Sequence, residues 1–350
     1  MPVHRRPDAP LALTMGEPAG IGGELTCLAW RERVDSDQPF FALDDAHRLA
    51  CLSRDLGLNV PVREIDMPGD AMKIWPDALP VLSRPLVSQV RPGHPDAANA
   101  PVVVGAIDDA VAFAQSGEAA AVVTNPIQKS ILYDAGFRLP GHTEYLAALT
   151  GVGTPPVMLL TAPGLRVALV TIHLPLAAAI SAITCDAIIS TATTVASALQ
   201  RDFGILSPRL AVAGLNPHAG EAGALGREEI DIIMPAVTVL QRSGIDATGP
   251  FPADTMFHAD ARSRYDAAIC MYHDQALIPI KTIDFWHGVN VTLGLPIVRT
   301  SPDHGTALDI AGTGKASPES LLAALRLARD MARHRHTFDA AAIMVSATEP

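Results

Sequence analysis

Short apolar runs recur along the whole chain: Leu11 to Thr14, Val102 to Val104, Ala119 to Thr124, Val157 to Thr161, Val167 to Ile172, Leu210 to Leu215 and Ala267 to Tyr272. Runs of this length, β-branched in part, suit strands buried on both faces. Between them lie segments of helical spacing, among them Gly105 to Gln115, Ile127 to Ala135, Asp186 to Phe203, Arg227 to Arg242 and Pro318 to Arg333. Strand and helix alternating in this way predict a layered α/β fold. Ser317 before Pro318 reads as a helix start, Asp186 reads as a cap of the run that follows it, and Val90 to Pro101 reads as a surface loop. With 350 residues and 49% hydrophobic content, the chain can bury a large core, and its length favours two domains over one.

A net charge of -11 and a pI near 5.5 argue against a nucleic-acid or anionic-membrane partner, because both require a basic face. Local basic pockets can still hold small anions. Cys27, Cys51, Cys185 and Cys270 are scattered without a Cys-x-x-Cys pair, which fits reduced thiols. The first ten residues are polar, and no uninterrupted run of about eighteen apolar residues is found. The expectation is a soluble, cytoplasmic protein.

The densest polar segment is 271–314. It contains Tyr272-His273-Asp274-Gln275, Lys281, Asn290, Arg299 and the loop Asp303 to Gly314 within otherwise apolar sequence. Such groups destabilise a core unless something polar binds them. Among the twelve histidines, His173, His218 and His273 each follow a predicted strand. The carboxyl ends of strands in an α/β sheet form the ligand crevice, so three such imidazoles can converge on zinc, cobalt or another divalent ion. His142 and Thr143 stand at a loop-to-helix junction suited to an anion, or to a simple cap by Thr143. His47, His94, His258, His334 and His336 show no partner and read as structural.

Two glycine-rich stretches stand out. Gly16 to Gly23 joins a strand to a helix but lacks both the dinucleotide and the P-loop spacing, leaving a tight turn that either touches the cleft or serves only the backbone. The second combines His304, Gly305, Asp309 and Gly312. A carboxylate at Asp309 can accept hydrogen bonds from a ribose 2'-hydroxyl and would repel a 2'-phosphate, which favours NAD over NADP; a solvated acid on a mobile loop is the alternative.

Taken together, several motifs resemble the 4-hydroxythreonine-4-phosphate dehydrogenase family of pyridoxal 5'-phosphate synthesis. These are Thr14 to Gly22, Pro140-Gly141-His142-Thr143-Glu144-Tyr145-Leu146, Leu215-Asn216-Pro217-His218-Ala219-Gly220-Glu221, Pro252-Ala253-Asp254-Thr255, Met271 to Gln275 and Gly288 to Pro296. The resemblance implies a two-domain α/β/α fold like that of the isocitrate and isopropylmalate dehydrogenases, with the active site in the interdomain cleft. Residues 1–138 with 300–350 would form the domain bearing the NAD loop, and 139–299 the domain for dimerisation, metal and substrate. It implies one divalent ion (zinc, cobalt or magnesium) on His173, His218 and His273, with one histidine and the other two coming from different subunits of a homodimer. His142, Thr143, Lys281, Asn290 and Arg299 would contact a phosphorylated substrate, and the His304 to Gly312 loop, with Asp309, would hold NAD. Met15, Gly23 and Phe285-Trp286-His287 depart from the family pattern without removing any of these groups.

The implied reaction oxidises 4-phosphooxy-L-threonine to 2-amino-3-oxo-4-phosphooxybutanoate, a β-keto acid that decarboxylates to 3-amino-2-oxopropyl phosphate. Lys281 and Asp254 are both candidates for proton transfer. Related substrates on the same scaffold are phosphothreonate, phosphoerythronate and aromatic cis-dihydrodiol carboxylates. A metal-dependent hydrolase is the alternative of another class.

Overall fold

The computed structural model describes residues 7–33, 39–134, 136 and 142–348, with the side chains of 142, 343 and 345–348 outside that description. The strands among them are β1 (Leu11–Thr14), β2 (Phe40–Asp44), β3 (Val62–Glu64), β4 (Leu79–Ser83), β5 (Val122–Thr124), β6 (Val157–Ala162), β7 (Leu165–Leu169), β8 (Arg209–Ala213), β9 (Asp246–Phe251), β10 (Ala267–Cys270), β11 (Val289–Leu293) and β12 (Arg299–Pro302). The chain divides into two compact units, 1–154 with 295–336 and 155–294 with 337–350. Sequence had suggested borders at 138/139 and 299/300. Helix His142–Thr150 belongs to the first unit because Leu146 is buried in its core and the Tyr145 hydroxyl donates to Asp108. Leu295 and Ile297 belong to the same core.

The first unit carries six strands in the order β3-β4-β2-β1-β5-β12, all parallel. Its central strand β1 is buried throughout, as expected for a strand covered on both faces. Residues 102–104, expected as a strand, lie instead in helix Ala100–Ser116. Pro101 occupies the first turn, Gly117 ends the helix in a left-handed conformation, and Val103, Ala106, Ile107, Ala110 and Val111 are buried at helical spacing. The period of 3.6 therefore overrides the local β-propensity of three valines. With its preceding turn, 97–116, this helix has the length and hydropathy of a membrane span, but its apolar face is part of the first unit's core.

The second unit has the order β11-β6-β7-β10-β8-β9. The pairs β11/β6 and β6/β7 are antiparallel; β7/β10, β10/β8 and β8/β9 are parallel. Leu160, Val167, Leu169, Ala211, Ala268 and Cys270 form the centre of its core. Each Leu or Val so buried contributes roughly 1.5–3 kcal/mol relative to exposure. Helix Cys185–Phe203 is capped by Thr184, whose hydroxyl accepts from the Ala187 amide at 3.1 Å. Asp186, expected as that cap, sits inside the first turn.

Arg329 is 1% exposed on helix Glu319–Thr348. Its guanidinium donates to the carbonyls of Pro7 (2.7 Å) and Ala9 (3.0 Å), fixing the approach to β1. Burial lowers its pKa to about 10, so it stays cationic at neutral pH. Arg329→Met should leave these buried carbonyls without donors and cost roughly 2–4 kcal/mol, measured as a lower midpoint in urea unfolding; Arg329→Lys should recover part of the loss.

Candidate functional site

Strand β10 lies between β7 and β8, with Cys270 level with Leu169 and Ile269 level with Val212. Because all three run parallel, their carboxyl ends open on the same edge, and the segments leaving them carry His173, His218 and His273. The strands end two or three residues before the apolar runs do. Thr171, Gly214, Leu215 and Met271 therefore lie in the exit loops, where their polar backbone groups must find partners outside the ladder.

The rings of His173 and His273 are 5.9 Å apart, centre to centre. Nδ1 of His273 is 2.7 Å from Asp274 Oδ1, and Nδ1 of His218 is 3.1 Å from Glu221 Oε2. A carboxylate on Nδ1 fixes the tautomer with the proton on that nitrogen and leaves Nε2 as the ligand atom. These donors thus fit a borderline divalent ion such as zinc or cobalt. Within one chain, however, the described residues hold no set of three or more His, Cys, Asp or Glu side chains placed for a metal. His218 does not join the His173 and His273 pair.

The backbone around His218 is unusual. His218, Ala219, Gly220, Glu221 and Ala222 all have positive φ, between 45° and 80°. For a residue with a Cβ this left-handed region costs on the order of 1–2 kcal/mol. The compensation comes from Glu229, 2% exposed. Its Oε1 accepts from the amides of Leu215 and Asn216, each at 2.7 Å, and its Oε2 accepts from Asn216 Nδ2 at 2.9 Å. A Cβ on Gly220 would stand 2.6 Å from Glu229 Oε2, so the turn closes around the carboxylate only with glycine there. Gln275, 8% exposed, accepts from the Met271 amide and donates to the Gly214 carbonyl, both at 2.7 Å. Sequence reasoning missed Glu229 altogether and read Gln275 only as part of a motif.

In the second unit, half-buried Lys281 lies on helix His273–Ile283 with its Nζ 5.8 Å from the centre of the Phe285 ring. Asn290 is on β11, and its buried Oδ1 has no hydrogen-bond partner among the described residues. Asp254 is exposed in the short turn Ala253–Thr255.

In the first unit, Arg299 on β12 is 3% exposed and donates to Thr124 Oγ1 at 2.6 Å. Burial pushes its pKa down to about 10, which still leaves it charged at neutral pH. His142 opens helix His142–Thr150, with its side chain outside the described residues; Thr143 is half-buried beside it.

The two glycine-rich stretches meet in this unit. The Ile21 amide donates to the Thr306 carbonyl at 3.1 Å, and a Cβ on Gly20 would stand 2.8 Å from that oxygen. The early glycines therefore permit close packing against the His304 to Gly312 loop. His304 Nδ1 is 3.0 Å from the Gly305 carbonyl, and Asp309 is exposed, its carboxylate accessible to a ribose hydroxyl. The Gly312 amide donates to Glu24, which is 1% exposed and whose pKa burial raises. Glu24 also lines a cavity of about 420 Å³ together with Pro18, Gly20, Arg48 and Gly312. Exposed glycines, an accessible acid and adjacent open volume fit a nucleotide.

Residues 37–328 match the family model described as pyridoxal phosphate biosynthetic protein PdxA. The 4-hydroxythreonine-4-phosphate dehydrogenase of Caulobacter vibrioides is 54% identical over 331 residues, 93% of this chain and 98% of that protein. The crystal structure of 4-hydroxythreonine-4-phosphate dehydrogenase from Klebsiella pneumoniae matches with a TM-score of 0.82 at 39% identity, covering 93% of this chain and 99% of its own. A terephthalate 1,2-cis-dihydrodiol dehydrogenase from Burkholderia xenovorans matches at 0.63 and 29% identity, covering 92% and 98%. By a family model that spans most of its length and a relative more than half identical to it, the chain belongs to the PdxA family of pyridoxal phosphate biosynthetic proteins.

Proposed function

We propose that this chain oxidises 4-phosphooxy-L-threonine with NAD to 2-amino-3-oxo-4-phosphooxybutanoate, which then decarboxylates to 3-amino-2-oxopropyl phosphate. The observation that carries this reading is the 54% identity, over nearly the full length of both chains, to a relative named for this activity. The dihydrodiol dehydrogenase is more distant, at 29%. In the reaction the secondary alcohol gives a hydride to the nicotinamide and a proton to a base. The carbon-carbon bond to the carboxylate then breaks, carbon dioxide leaves, and the resulting enol is protonated. A divalent ion (zinc, cobalt or magnesium) would supply a Lewis acid for both steps.

His173, His218 and His273 would hold that ion, the latter two through Nε2. Lys281 and Asp254 are the candidates for the proton. Asn290 Oδ1, without a hydrogen-bond partner among the described residues, would accept from a substrate donor. Arg299, cationic at neutral pH, with His142 and Thr143, would bind phosphate or carboxylate oxygens. His304, Gly305, Asp309 and Gly312 would hold the adenosine half of NAD, with Asp309 on the 2'-hydroxyl. Four free cysteines are compatible with a reducing, cytoplasmic setting.

A second copy of the chain is the proposed partner. Leu174, Leu176 and Ile180, at 47%, 58% and 44% exposure, follow His173. Ile278, Phe285 and Trp286, at 64%, 64% and 58%, lie on or just beyond the helix that His273 opens. Exposed apolar groups in these segments support an interaction surface, and a homodimer closing over them would let another subunit supply the missing histidine.

Three outcomes are expected. In a panel of 4-phosphooxy-L-threonine, phosphothreonate, phosphoerythronate and a dihydrodiol carboxylate, the first should give the highest kcat/KM for NADH formation, with carbon dioxide released and NAD preferred over NADP. A different best substrate would reassign the activity, and a preference for NADP would remove the role given to Asp309. His218→Ala should lower kcat at least a hundredfold, and chelation should inhibit reversibly; full turnover in metal-stripped protein would exclude the metal. Ile180→Asp combined with Ile278→Asp should shift the mass measured by light scattering from dimer to monomer and abolish activity.

A further inference from the structure

We infer that Glu229 and Gln275 are positioning residues for the metal-binding histidines, an inference that rests on the metal reading of His173, His218 and His273 given above. Each histidine lies on a segment that has left the sheet, so the ladder cannot hold it in place. A buried hydrogen-bond chain takes over that task. The Thr171 amide and hydroxyl both donate to the Met271 carbonyl, at 3.2 and 2.7 Å, tying the segment before His173 to the one before His273. The Gln275 side chain spans from the Met271 amide to the Gly214 carbonyl, tying the exit of β10 to that of β8. Glu229 then grips Leu215 and Asn216, just ahead of the left-handed turn that presents His218. Thr171, Gln275 and Glu229 are 5%, 8% and 2% exposed.

The chemistry of the two side chains is specific. Glu229 meets only donors: two amides on one oxygen and a carboxamide on the other. A carboxylate satisfies all three, whereas the NH₂ of a glutamine would oppose the carboxamide NH₂ of Asn216 or a backbone amide. Gln275 must accept at one end and donate at the other, which neither glutamate nor methionine can do. Both side chains spend their polar atoms on backbone or on Asn216, so they act through the histidines and not on substrate.

The test is Co²⁺ binding to the full-length, metal-stripped protein, followed by calorimetry and by the visible absorption of the bound ion. Glu229→Gln and Gln275→Met should remain folded by far-UV circular dichroism, bind Co²⁺ about 10–100-fold more weakly and show an altered visible spectrum. Arg329→Met, destabilised within the first unit, should bind with the wild-type constant and spectrum, which separates positioning from general loss of stability. If Glu229→Gln does not fold, Gln275→Met decides alone, because it breaks the same chain at another link. Wild-type affinity and spectrum in the folded variants, with His218→Ala impaired, would overturn the positioning role while the metal reading stands. Wild-type binding in His218→Ala would overturn the metal reading and this inference with it.

Discussion

Parallel pairing of β10 with β7 on one side and β8 on the other is the constraint on which the second unit's candidate site depends. It brings three chain segments, widely separated in sequence, to one edge of a sheet. The apolar residues Ala268, Ile269 and Cys270 are wholly buried, so that edge stands on packed core. The same burial raises the Cys270 thiol to about 12, so it is an un-ionised packing group and not a ligand. Parallel strands also leave their last carbonyls and amides without neighbours. The unit meets that demand with side chains, and because those side chains are themselves fixed, the loop geometry becomes nearly as determined as the strands.

The exit of β8 is the costliest of the three. A run of positive φ at residues 218–222, four of them not glycine, is unfavourable for an isolated chain. It survives because Glu229 is held where the turn needs an anion and because Gly220 leaves room for it. Such strain persists only when the surroundings over-determine it, and it gathers where a side chain has to be presented in one orientation. On the metal reading proposed above, His218 would be that side chain, with Glu221 from the same turn 3.1 Å from its Nδ1.

Five of the seven apolar runs in the sequence overlap strands at their predicted places, and β1 matches to the residue; a sixth, Ala119 to Thr124, contracts to Val122–Thr124. These are strands whose burial is written as uninterrupted hydrophobicity. Val102 to Val104 misled because three valines resemble a strand until the spacing out to Ala110 is counted. Strands β2, β3, β4, β9, β11 and β12 were not legible: β3 is largely exposed, β9 contains Gly249 and Pro250, and β11 and β12 carry Asn290 and Arg299 inside short runs. The strand-end histidines could be read because position relative to a strand is a local property. Glu229 could not, since its partners Leu215 and Asn216 lie more than a dozen residues away and nothing in Arg227-Glu228-Glu229 separates the buried acid from its solvated neighbour. A glutamate eleven residues after a strand-end histidine is the kind of signal that appears only once the turn's donors are counted.

The first unit solves a related problem by other means. Its glycines at 20 and 312 are demanded by contact, with Thr306 and Pro92 respectively, so the loop that would face a nucleotide is clamped against the strand-to-helix turn before any ligand arrives. Asn125 adds to the clamp by donating from one amide to both the Thr14 carbonyl and the Thr26 hydroxyl, at 3.1 Å each. Glu24, 1% exposed, accepts from the loop's Gly312 amide and so adds a further tie between the two stretches. Two buried glutamates thus take comparable parts in the two units. Glu229 holds the backbone ahead of the His218 turn, and Glu24 ties the glycine-rich loop at Gly312 to helix Gly22–Arg31.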